Sequence, residues 1–158
     1  MKYRFVVLCV ALVVVLQPSF VLASDIQEYR ARAAKHYQEE NFKKAYKIYF
    51  KLAKIGDFYS QNKLSQMYID GKGREVDLNE AYAWSVLAAE SGVDGIVEKS
   101  DRLLQRTDDQ ASARKRAEKL KHKYGKDALQ AKAEKKERRK YNHQSGGCTG
   151  SKLGCSIG

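Results

Sequence analysis

The sequence predicts an all-α protein: a short α-solenoid of antiparallel helix pairs, about two repeats plus a capping helix pair, ending in a basic C-terminal helix or tail. Three observations carry this. AYKIYFKLAKIG from Ala45 and AYAWSVLAAESG from Ala81 share one frame at an offset of 36 residues, the mark of a repeat. Apolar residues recur at helical spacing through both halves of the stretch Ser60 to Gly92. Glycines and acidic residues punctuate that period where helices must end and begin.

Taken in order, residues 1–23 place Lys2 and Arg4 before the apolar run Phe5 to Leu16, then Pro18 and the small-residue site Val21-Leu22-Ala23. This is the layout of a secretory signal peptide cut after Ala23. The apolar run is shorter than the roughly 20 residues a spanning helix needs. Cys9 lies inside the run without a lipobox, so export to the periplasm or the exterior is expected, without a lipid anchor.

Asp25 to Glu39 carries Tyr29, Ala33, His36 and Tyr37 at helical spacing. Asn41 is a candidate cap for the next helix, whose face is Ala45, Ile48, Tyr49, Leu52 and Ala53 before Gly56 stops it. In the next segment Leu64, Met67 and Tyr68 share a face, and Gly71 is placed to terminate the helix. Asp77 followed by Glu80 is a capping-box pattern, so another helix begins near Leu78. Its Ala81, Trp84, Ala88 and Ala89 make a narrow face of one bulky and several small residues, closed by Gly92. Small residues let a neighbouring helix come close.

The series Leu64, Tyr68, Gly71, Gly73, Ala81, Trp84, Ala88, Ala89 and Gly92, with its Gly-Lys-Gly turn and Ala-Tyr-x-Trp, resembles the Sel-one-like repeat (SLR) family of the tetratricopeptide superfamily over residues 60–92. Ser65 stands where that family usually has glycine, which implies slightly wider helix separation. The export segment marks the chain as similar to exported bacterial members. The resemblance divides the chain into 24–56, a degenerate N-terminal repeat; 57–92, the repeat itself; 93–124, closing helices; and 125–158, a basic tail. It also implies a protein or peptide partner, held on the inner faces of the first helices. Carried over by position, that groove points to Lys35, Asn62 and Gln66.

After Gly92, Asp94 is a candidate cap for a helix bearing Ile96, Val97, Leu103 and Leu104, and Thr107 with Gln110 a second capping box. Ala113, Ala117, Leu120 and Tyr124 then form a stripe suited to cover the open end of a solenoid. Beyond Leu129 no large aliphatic residue occurs until Leu153, so this region is either a solvated helix or disordered.

Charge is concentrated in that part of the chain. Of a formal net charge of +11, residues 111–143 contribute thirteen Lys and Arg against four acidic residues, whereas residues 24–110 are close to neutral. Arg114, Lys115, Arg116, Lys119 and Lys123 surround the apolar stripe. They offer a cationic surface to an anionic polymer or membrane, or simply keep a helix solvated. Aromatic residues do not interleave with these cations, so specific nucleic-acid readout is not expected.

Cys148 and Cys155 are the cysteines left after removal of the export segment, and six residues rich in Gly and Ser separate them. An even pair in an oxidising compartment favours a disulfide over free thiols. With only His143 nearby, a closed zinc centre lacks ligands, so no metal is expected.

His36, His122 and His143 have no nucleophile and carboxylate at spacings that suggest a triad. Gly71-Lys72-Gly73 lacks the remainder of a phosphate loop. Some secreted SLR relatives are associated with β-lactams, but nothing here resembles the Ser-x-x-Lys arrangement that this chemistry requires. The expectation is a non-enzymatic interaction scaffold without a cofactor, with electrostatic binding to an envelope polymer as the alternative.

Overall fold

The computed structural model describes residues 18–145, with side chains for residues 25–143. These residues form seven helices and no strand: α1 Pro18–Gln38, α2 Phe42–Ala53, α3 Phe58–Asp70, α4 Leu78–Ala89, α5 Asp94–Arg106, α6 Gln110–Tyr124 and α7 Lys126–Ser145. Consecutive helices pack as a short α-solenoid. The helix α1 runs through residues 18–23, which the sequence assigned to the export segment. Cys148 and Cys155 lie outside the described residues.

The solenoid is centred on α4. It lies against α3, α5 and α6, and α6 packs mainly on α4 with little contact to its own hairpin partner α5. Sequence explains the choice. Ala81, Ala83 and Ala88 on α4 and Ala113 and Ala117 on α6 are all buried, and small side chains let helix backbones approach closely. Trp84 fills the space the alanines leave, and is 1% exposed. Leu64 and Met67 of α3, Tyr49 of α2 and Leu87 of α4 complete the tightest part of the core.

Local chemistry sets the helix ends. Gly71 is left-handed (φ +66°) and its N–H bonds to the Met67 carbonyl, closing α3 as expected. Asp77 Oδ1 accepts from the Glu80 N–H at 2.9 Å, starting α4. The reciprocal half of that capping box is not made: the Glu80 carboxylate pairs with Arg116, and the Asp77 N–H bonds to the Tyr68 carbonyl. A distant guanidinium outcompetes a local amide because it adds charge to the hydrogen bond.

One cap is new and three local expectations are corrected. The helix α3 begins at Phe58 under Asp57, whose Oδ2 accepts from the Ser60 N–H at 3.0 Å. Val93 precedes α5 without a side-chain cap, and Asp94 occupies its first turn, where a negative charge favours the helix dipole. The cap of α6 is Asp109, bonded to the Ser112 N–H and hydroxyl, not Thr107 with Gln110. Thr107 instead donates to the Leu104 carbonyl. Asn41 makes no side-chain cap for α2 and donates to Glu39 at 3.5 Å. Side-chain oxygens at neighbouring positions compete for the same orphan amides, and backbone geometry decides which one reaches them.

The C-terminal helix α7 is attached at its start. Lys126 N–H donates to Glu90 Oε2 at 2.8 Å, and Leu129 reaches Gly56 at the end of α2. From Gln130 to His143 nearly every residue is exposed, which fits the charged composition.

Candidate functional site

Five aromatic rings from four helices form a continuous path through one side of the solenoid. Tyr68 on α3 meets Tyr46 on α2 edge to face, with ring centroids 5.9 Å apart and hydroxyls 2.8 Å apart. Tyr46 stacks on Phe50 (5.7 Å), Phe50 meets Trp84 of α4 edge on (5.8 Å), and Trp84 stacks on Tyr124 of α6 (5.9 Å, 15° between planes). Such pairs add about 0.5–1.5 kcal/mol each beyond the area they bury. Phe50, Tyr68 and Tyr124 are half-buried, so the path has an accessible edge.

That edge lies in a cleft of about 470 Å³ between α2, α4 and α6. Arg74, Arg116, Lys119 and Lys123 line it, with Glu80 the one acidic lining residue. Arg74 sits 4.6 Å from the Tyr46 ring centroid and Lys123 5.3 Å from that of Tyr124, both within cation–π range. Arg116 pairs with Glu80. Among the described residues Arg74, Lys119 and Lys123 make no ion pair. The depression continues across the turn Gly71 to Asp77, where Tyr68, Arg74 and Glu80 also line a wider hollow.

Burial pushes the pKa of the Tyr68 hydroxyl well up, and its hydrogen bond and charge coupling to Tyr46 push it further. Tyr68 therefore stays neutral at physiological pH and offers a hydroxyl, not an anion, to this side of the molecule.

The positions expected to bind a partner are distributed differently. On α3, Asn62 Oδ1 and Gln66 Oε1 both accept from Lys99 Nζ of α5, at 2.9 and 3.3 Å. The amine bridges the first helices of two successive units, so the two amides serve inter-helix packing. Burial lowers the Lys99 pKa, with the charge of Lys63 adding to that drop and Asp70 opposing it. Lys35 of α1 is exposed and approaches Glu39 at 3.9 Å, apart from this network.

Of the five cations expected to meet an anionic surface, Arg116, Lys119 and Lys123 converge on the cleft, while Arg114 and Lys115 are exposed and do not line it. The sequence set all five around the apolar stripe and did not separate the three that reach the cleft from the two that do not. Phe50, Tyr46 and Arg74 were missed as site residues, because only stacking of α2 and the Gly71 to Asp77 turn against α4 and α6 brings them there. Among the described residues no three His, Cys, Asp or Glu side chains gather as metal ligands, and no helix is long and apolar enough to cross a membrane.

Comparison with known protein families, curated proteins and solved structures returns no match to this chain.

Proposed function

We infer that this chain is an exported, SLR-like helical-repeat protein that serves as an interaction scaffold for a protein or peptide partner. The observation that supports this best is the stacking of successive helix pairs through α4, which leaves an aromatic and cationic cleft open between the second helices. Ligand sites of bundles and solenoids form where helices meet, with apolar walls and a few converging polar groups. The repeat resemblance over residues 60–92 and the signal-like segment 1–23 supply the rest of the reading.

A second reading is electrostatic attachment to an anionic envelope polymer. It is favoured by Arg114 and Lys115, which are exposed and do not line the cleft, and by the exposed charged length of α7. The helix α6 cannot be cut away to test this, because Ala113, Ala117 and Leu120 belong to the core.

The deciding experiment is photo-cross-linking in the producing cell, with the full chain carrying a photoreactive residue at Asn62, Lys115 or Lys119 in turn. The expected result is a discrete protein adduct that forms equally when the isolated envelope of those cells is irradiated in 1 M salt, where the screening length is about 3 Å. Adducts confined to Lys115 that fail to form when irradiation is carried out in 1 M salt would replace the scaffold by the electrostatic reading.

A further inference from the structure

We propose that the α2–α4–α6 cleft binds an acidic peptide segment that carries an aromatic or aliphatic side chain flanked by carboxylates. This deepens the scaffold reading and rests on it.

Charge complementarity selects the ligand. Three cations, Arg74, Lys119 and Lys123, face the cleft without an ion pair among the described residues, and Arg116 is partnered by Glu80 alone. Like charges crowded around a concave surface repel one another, and an incoming anion relieves that repulsion. The Arg74 guanidinium carbon sits 4.6 Å from the Tyr46 ring centroid, a cation–π contact that holds this charge at the cleft before any ligand arrives.

The aromatic path selects against a purely ionic ligand. Phe50, Tyr68 and Tyr124 are half-buried around a space of about 470 Å³, enough for one large side chain and adjoining backbone. A uniformly charged polymer would satisfy the cations and leave these rings in water. A peptide with one apolar anchor covers the rings while its flanking carboxylates meet Arg74 on one side and Lys119 and Lys123 on the other. The occupant is not the basic C-terminal region of this chain, whose charge has the wrong sign.

The protein carries its own reporter, since Trp84 is the one tryptophan of the chain and lies in the cleft wall. Trp84 fluorescence of the full chain is titrated with a capped peptide of one phenylalanine flanked by two glutamates on each side. The controls are the same peptide with glutamines for glutamates, a penta-glutamate peptide, and dextran sulfate. The expected result is a saturable change with the first peptide, and binding weaker by about tenfold or more with each of the two control peptides. K119E and K123E are expected to weaken the first peptide by about tenfold, whereas R114E, on the same helix outside the cleft, leaves it unchanged. Helical circular dichroism checks that each variant is folded.

A flat titration, or equal loss in R114E and K119E, overturns the cleft. If protein cross-links nevertheless form elsewhere on the chain, the scaffold reading stands without it. If dextran sulfate outcompetes the peptide and cross-linking yields no protein adduct, both fall.

Discussion

The carboxylate of Asp57 is shared between the start of α3 and the guanidinium of Arg30 on α1, 27 residues away. One oxygen accepts from the Ser60 N–H at 3.0 Å and from Arg30 Nε at 3.1 Å, and the other from Arg30 Nη2. A residue that begins one helix thus also ties the N-terminal pair to the next unit. Burial raises the Asp57 pKa, but the hydrogen bonds from Arg30 and Ser60 and the Arg30 charge outweigh it and hold the group below the ordinary carboxylate value.

Asp57→Ala is expected to destabilise the fold by about 2 kcal/mol or more, because it removes a cap and leaves Arg30 unpaired where it is largely buried. Urea unfolding followed by circular dichroism measures this. The pH dependence has a defined sign. A carboxylate with a depressed folded pKa contributes its stability above the unfolded value near 3.8, and loses it as pH falls through the folded value. Asp57→Asn should therefore flatten the acid limb of the stability profile below about pH 4. A variant as acid-sensitive as the parent would show that Asp57 does not govern that limb.

Two turn positions should respond in opposite directions. Gly73 has φ +80°, and a Cβ there would lie 2.6 Å from the Phe42 carbonyl oxygen. Gly73→Ala is expected to cost well over 1 kcal/mol, since strain and overlap add. Glu40 is left-handed too, with φ +58°, in the turn between α1 and α2. Replacing Glu40 by glycine should raise the melting temperature through relief of about 1 kcal/mol of backbone strain.

Ser65 is fully buried, and its hydroxyl has no hydrogen-bond partner. Removing an unsatisfied buried hydroxyl without removing Cβ is expected to help, so Ser65→Ala should stabilise by about 1 kcal/mol. Ser65→Gly, the residue usual in SLR sequences, should gain less because glycine costs about 1 kcal/mol in a helix interior relative to alanine. Paired urea melts rank the three forms.

Glu80 and Arg116 join α4 to α6 at the cleft. The guanidinium side is 44% exposed, so Arg116→Gln should lower stability by no more than about 1 kcal/mol. Glu80→Gln removes the one acidic lining residue of the cleft, and is expected to tighten the acidic peptide several-fold in the Trp84 titration. Weaker binding by Glu80→Gln would show that Glu80 orients Arg116 rather than opposing the ligand.

Much of the fold was legible in the sequence, and the site far less so. The apolar faces of α3 and α6 were read correctly at Leu64, Met67, Ala113, Ala117 and Leu120, because burial on a helix follows a 3.6-residue period. The same period placed Tyr29 and Val97 on apolar faces, yet they are 45% and 38% exposed. Period assigns a face to a residue, but whether anything covers that face depends on the neighbouring helix. Asp57 was not read as a cap although its capping bond to the Ser60 N–H is local; only its second partner, Arg30 of another helix, lay beyond local reading.

The sequence by itself determined where α3 ends and α4 begins. Gly71 and Asp77 act on backbone groups within a few residues of themselves, so their chemistry is complete before any helix packs. Tertiary structure alone decided that the Glu80 carboxylate goes to Arg116, that Lys99 occupies Asn62 and Gln66, and that Arg74, Lys119 and Lys123 surround one aromatic edge. Apart from the i,i+4 pairs Asn62/Gln66 and Lys119/Lys123, these groups are separated by tens of residues along the chain, and no local period relates one helix's groups to another's. The close approach of α4 and α6, permitted by their buried alanines, brings Glu80 to Arg116 and the α6 lysines to the aromatic edge, and the packing of α3 and α5 against α4 brings Lys99 to Asn62 and Gln66.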